Sequence, residues 1–183
     1  MSAALALDDD GEAIGARVEG ARHSGESFAK ARLVDVEFVR CELSACDFSE
    51  GVWQRVKVID CRCTSIDLSQ TRLQEVTFKD SKLDDANIRL SKLHAVRFDG
   101  CVCTNAEFIA AQLEEIAFPG SDLAGANFTQ VRCVGVDLRD ARLDRLQGVA
   151  SLSGATIAVD QLFGFAPALA QALGITVSTE ESA

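Results

Sequence analysis

Tyrosine is absent from this 183-residue chain, and it holds one tryptophan, two prolines and two histidines. With histidine so scarce, nucleophilic triads and histidine-based metal sites have little to draw on. Neither His23 nor His94 can be set beside a Ser or Cys nucleophile with an orienting acid. No glycine-rich phosphate loop is present. No apolar run approaches the ~18 residues of a membrane span. The opening Met1–Leu7 runs straight into Asp8–Asp10 without a basic region, so a secretion leader is not expected. An excess of basic residues is also missing. Lys and Arg total 18 against 28 Asp and Glu, a net charge of −10, which argues against direct contact with nucleic acid or an anionic membrane. Seven cysteines, an odd number, with no leader point to free thiols in a reducing compartment, the cytoplasm.

What the chain does have is a period of five. From Phe28 to Leu143, stepping by five, 24 consecutive positions carry no polar side chain, and 18 of them are Phe or Leu. Neither a helix nor a simple strand repeats this way. A second column lies two residues earlier, from Ala31 to Ala141. Of its 23 residues, 20 are Ala, Cys, Ser, Thr or Val. Gly51 is an exception two residues before Trp53, and is read as making room for the indole. The remaining positions are mostly polar.

Local matches such as Ala86-Asn87-Ile88, Ala106-Glu107-Phe108, Ser121-Asp122-Leu123 and Ala126-Asn127-Phe128 follow the pattern A-(D/N)-L-x-x. In this the chain resembles the pentapeptide-repeat family, without a break from 28 to 143. The resemblance implies an all-β solenoid: a right-handed quadrilateral β-helix in which four pentapeptides make one 20-residue coil. Six full coils and a partial one follow, roughly 30 Å of rod at the ~4.8 Å strand spacing. Folded modulo 20, the interior ladder places Phe28, Phe48, Phe108 and Phe128 on one face. Phe38, Phe78, Phe98 and Phe118 fall on the opposite one, and Trp53 on a face between them.

The ends depart from the pattern. After Leu143 the register is lost at Gly148 and resumes one residue early at Ala150/Leu152 and Ala155/Ile157, which reads as a one-residue deletion. Asp160, Pro167 and Gly174 suggest the cap, first turn and end of two short helices. The expected organisation is therefore a tail or cap over 1–25, with Asp8–Asp10 and Glu12 disordered. The β-helix covers 26–157, a short C-terminal α-helical cap 158–176, and a disordered tail 177–183. An open solenoid end needs a cover. Leu162, Phe165, Leu169 and Leu173 are the candidate cap and dimer contacts, because the resemblance implies pairing of two copies through this end.

Cys61-x-Cys63 and Cys101-x-Cys103 look like metal-ligand pairs, but all seven cysteines fall in the two inward columns. The pairs also stand two coils apart, about 10 Å, too far for one tetrahedral zinc. Core packing is the expectation, with no metal and no cofactor. Asp84-Asp85 and Glu114-Glu115 read as solvated.

The resemblance implies a non-enzymatic rod that binds a protein partner. A narrower version is a plain rod like MfpA, without projecting loops: a dimeric DNA mimic that binds DNA gyrase and protects against quinolones. Asp47, Asp67 and Glu107 form the candidate acidic interaction column. Against mimicry, residues 27–145 carry 19 acidic and 16 basic side chains, so most of the negative charge lies at the ends. B-DNA carries about one charge per 1.7 Å. A neighbouring column, Arg32, Val52, Arg72, Lys92, Gln112, Arg132, is basic.

Overall fold

The computed structural model describes residues 4–177, which form a right-handed parallel β-solenoid of about seven turns and one C-terminal helix. Two faces carry strands. On the first, β1 (Glu12–Ile14), β3 (Arg32–Val34), β5 (Val52–Gln54), β7 (Arg72–Gln74) and the start of β9 (Lys92–Asp99) stack in parallel. The start of β10 (Gln112–Ala117) and β11 (Arg132–Val134) continue that stack. On the second lie β2 (Arg17–Glu19), β4 (Glu37–Val39), β6 (Lys57–Ile59), β8 (Thr77–Lys79) and the ends of β9 and β10. They are followed by β12 (Val136–Asp137) and β13 (Ala155–Thr156). Single bridges such as Asp47↔Asp67 and Arg62↔Lys82 hold the other two faces. The pairings up to Gln147 join residues 20 apart, so each turn is four pentapeptides.

Each position of the motif has a physical task. The large residue points inward: Leu33, Phe38, Leu43, Phe48 and Trp53 have no solvent exposure. Two residues later the chain turns a corner with positive φ, between 49° at Asp80 and 64° at Lys30 for non-glycine residues. That conformation costs an L-residue about 1–2 kcal/mol. It is worst for β-branched side chains, and none of the 24 corner residues from Lys30 to Arg145 is β-branched. The Asp or Asn before the large residue closes a local turn. Its Oδ1 accepts the N–H two residues on, at 2.9 Å from Ser49 to Asp47, 2.8 Å from Ser69 to Asp67 and 3.0 Å from Thr129 to Asn127.

The small residues differ from corner to corner. At two corners of the square their N–H bonds back three residues, as Ala31 N–H does to the Phe28 carbonyl (3.0 Å) and Cys46 N–H to Leu43 (3.2 Å). A third corner is lined by Val36, Val56, Val76, Val96, Ile116 and Val136. At the fourth, the side chain of the next turn takes the N–H. Cys41 donates to Cys61 Sγ (3.3 Å), Cys61 to Ser81 Oγ (3.0 Å) and Cys101 to Ser121 Oγ (2.9 Å). Thiols and hydroxyls are therefore hydrogen-bonding parts of that corner as well as small fillers.

The aromatic ladders form as the columns require. Phe78, Phe98 and Phe118 stack at 5.0 and 4.9 Å, and Phe108 stacks on Phe128 at 4.8 Å. Rings from opposite faces meet edge-on, Phe98 against Phe108 at 6.1 Å. Phe28, the first ring of its ladder, is only partly buried. Trp53 is fully buried with Phe48 edge-on at 5.1 Å, and its Nε1–H has no partner. The explanation of Gly51 changes. A Cβ there would lie 2.9 Å from the carbonyl oxygens of both Ala31 and Phe48, so backbone approach requires the glycine, whatever room the indole needs.

The ends differ from the sequence expectation. The ladder begins at Glu12 and not near Phe28, because Ala13, Val18 and His23 hold the inward slots of one more turn. Asp8, expected to be disordered, closes a turn by accepting the N–H groups of Asp10 (3.0 Å) and Glu12 (2.8 Å). Leu5 covers this end, buried, with its N–H on His23 Nε2 at 3.0 Å. At the other end β13 pairs with β12 at a spacing of 19, so one residue has dropped out. Gly148 sits at that point with φ 72°, and a Cβ on it would fall 2.2 Å from Thr129 N.

The two short helices expected here are one, α1 (Gln161–Ala172), running through Pro167. The proline removes the N–H due to the Phe163 carbonyl, and Phe163 is 84% exposed, where water can substitute. Asp160 makes no side-chain cap. Gly174 ends the helix in a Schellman motif, with Ile175 N–H on Ala170 O (2.8 Å) and its own N–H on Gln171 O (3.0 Å). Val177 is the last described residue; 178–183, the rest of the expected tail, lie outside the described residues.

Candidate functional site

Three surfaces compete. The acidic column is real as a stack: Asp47, Asp67, Asn87, Glu107 and Asn127 bridge one another turn by turn. Its carboxylates, however, are half-buried and engaged. Asp47 accepts from Ser49 and from Ser27 Oγ (3.1 Å), and these donors, the Ser49 hydroxyl foremost, hold it below the usual carboxylate range. Asp67 Oδ1 also accepts from Asn87 Nδ2 at 3.1 Å, and Glu107 pairs with Arg89 at 3.3 Å. The column serves the turns first and presents diluted charge.

The basic column lies on the first stranded face. Arg72, Lys92, Gln112 and Arg132 sit at successive turns of β7, β9, β10 and β11 and line a groove of about 400 Å³ with His94, Glu114 and Val134. Arg32 is drawn off to Glu12 at 3.6 Å. The column is interrupted by two neutral residues, Val52 and Gln112.

The C-terminal end is apolar. Gln161 docks α1 on the last turns: its Nε2 donates to the carbonyls of Leu138 (2.8 Å) and Ala141 (2.7 Å), while its Oε1 accepts Ala158 N–H (2.6 Å). Sequence reading missed this residue, since nothing in its spacing marks it. Of the four candidate contacts, Phe165 is buried and Leu169 packs partly against the core. Leu162 and Leu173 remain 47% and 74% exposed, so docking consumes only half of the stripe. A groove of about 390 Å³ runs between α1 and the last turn, lined by Leu138, Val149, Leu152, Ile157, Phe165, Leu169 and Leu173.

Both histidines are engaged by neighbours other than a nucleophile. His94 faces Glu114 at 3.6 Å on an exposed strand, and His23 is engaged by Leu5 and by Glu26 (2.9 Å). Among the described residues there is no cluster of three or more His, Cys, Asp or Glu suited to a metal, and no helix long and apolar enough to cross a membrane. The seven cysteines are free thiols, six of them buried and Cys133 half-buried.

Residues 51–128 match the profile of the pentapeptide repeat region family. No curated protein matches the chain. Similar solved structures include QnrB1, a plasmid-mediated fluoroquinolone resistance protein. It is 16% identical, with 90% of this chain and 100% of that chain covered and a TM-score of 0.43. HetL, a pentapeptide repeat protein of heterocyst differentiation regulation from Nostoc, is 15% identical over 79% of this chain and 84% of its own, with a TM-score of 0.35. Rfr23 of Cyanothece is 18% identical over 84% and 92%, with a TM-score of 0.19. Residues 51–128 are thus a pentapeptide repeat region, and that segment shares its 20-residue register with the turns on either side of it.

Proposed function

We propose that this protein is a non-enzymatic interaction rod that pairs with a second copy through its C-terminal end and offers its flat faces to a protein partner. One observation carries the reading. Of ten exposed large hydrophobic residues among those described, six lie between Val159 and Val177: Val159, Leu162, Phe163, Leu173, Ile175 and Val177. Apolar side chains grouped in this way mark an association surface. The seven free thiols suit a reducing compartment, and the proposal places the rod in the cytoplasm.

Light scattering behind a sizing column tests the pairing: the wild type runs as a dimer and Phe163→Asp as a monomer. A monomeric wild type retires it.

DNA mimicry at a type II topoisomerase is the narrower alternative, and the acidic column Asp47, Asp67 and Glu107 is what speaks for it. A gyrase supercoiling assay decides between the two. No effect at micromolar protein leaves the general interaction rod alone.

A further inference from the structure

The fourth corner of the solenoid holds a feature that the interaction reading does not use. Cys41 and Cys61 occupy the same slot on successive turns, one ladder step of ~4.8 Å apart. That separation lies within the Cα range of about 4.4–6.8 Å that a disulfide spans. Cys61 Sγ already sits 3.3 Å from Cys41 N, beneath the preceding turn. A groove of about 650 Å³ opens on this corner, lined by Cys41 with Arg22, Arg40, Arg62, Glu42 and Asp60. Cys41 and Cys61 keep 2% and 3% exposure, whereas Cys46, Cys63 and Cys103 have none.

We propose that Cys41 and Cys61 form a peroxide-sensitive thiol pair, with Cys41 as the attacking sulfur and Cys61 as the resolving one. The Cys41 thiolate attacks one oxygen of hydrogen peroxide. The O–O bond breaks, and the other oxygen leaves as hydroxide and takes up the proton lost from Cys41, giving water and a sulfenic acid on Cys41. Cys61 then attacks that sulfur: the S–S bond forms, the S–O bond breaks, and hydroxide leaves as water with the Cys61 proton. Two thiols give up two electrons, and one peroxide accepts them.

The division of roles follows from the surroundings. Cys41 lines the groove and Cys61 does not, and hydrogen bonding with the Cys61 thiol, helped by backbone hydrogen bonds, lowers Cys41 from the ordinary thiol value. Cys61 moves in the opposite direction, because it supplies that hydrogen bond and is buried. Burial raises Cys46, Cys63, Cys101, Cys103 and Cys133 above the ordinary thiol value, and none of them lines this groove.

The experiment treats the folded full-length protein with hydrogen peroxide, denatures it under alkylating conditions and maps the thiols. The expected result is a loss of two thiols of the seven and a single 41–61 linked peptide. Ser81 and Ser121 occupy this slot on other turns, so Cys41→Ser and Cys61→Ser keep the corner's hydrogen bonds. Cys61→Ser should trap a sulfenic acid on Cys41 that dimedone labels, and Cys41→Ser should lose no thiol. Alkylation of Cys41 in Cys61→Ser should also slow relative to the wild type at neutral pH, because the group that lowers its pKa is gone. Seven thiols surviving peroxide, or linkage of any other pair, overturns the proposal.

Discussion

The coil body and the C-terminal end handle burial in different ways. Between Phe28 and Leu143 every turn has a successor that covers its inward residues, and Val52, Leu90 and Val134 are the exposed large hydrophobics of that stretch. The last turn has no successor. It borrows a helix held by Phe165, Leu169 and Gln161, and that cover leaves Phe163 and Leu173 in solvent. A repeat solves its own packing by translation, so incompletely buried surface collects where translation stops.

Substitutions should separate the two regions. Phe98→Ala removes a ring stacked on both sides and should cost about 3–5 kcal/mol in denaturant unfolding, felt by the whole body. Gly148→Ala forces a Cβ into the backbone at Thr129 and should cost about 3 kcal/mol, with amide exchange accelerated only from the last turn onward. Gln161→Ala gives up two hydrogen bonds between the helix and the last turns and one to Ala158, just before the helix. It should cost about 1–2 kcal/mol, loosening α1 while the ladder amides stay protected. Phe163→Asp should change stability by less than about 0.5 kcal/mol while abolishing the pairing, since the ring touches little of its own chain. If Gln161→Ala exposes the body as much as Phe98→Ala does, the two regions are one cooperative unit and the contrast fails.

The body was legible because its columns are independent of one another. A single arithmetic step from Phe28 to Leu143 sorts inward from outward, and the corner residues, none of them β-branched, carry the same period through a different constraint. The one-residue loss after Leu143 was legible for the same reason, as the 19-residue pairing of Val136 with Ala155 requires. The ends were not. His23 is polar in an inward slot, and only its bond to Leu5 makes it a cap residue. Pro167 reads locally as the first turn of a second helix, yet the helix that begins at Gln161, docked by that residue, runs straight through it. The acidic column could be read as positions but not as chemistry, because whether Asp47 displays its charge or spends it on Ser49 depends on a turn that residue spacing does not describe.

The ladder of pairings 20 residues apart also has a mechanical meaning. Each N–H···O bond between turns runs along the rod, so tension applied at the two ends loads them a turn at a time. A turn that yields releases about 20 residues of slack, some 65 Å of extended chain, before the next bears load. The protein should extend under force as a series of nearly equal steps. A 41–61 bond would fuse two of those turns, removing one step from the record while leaving the others unchanged.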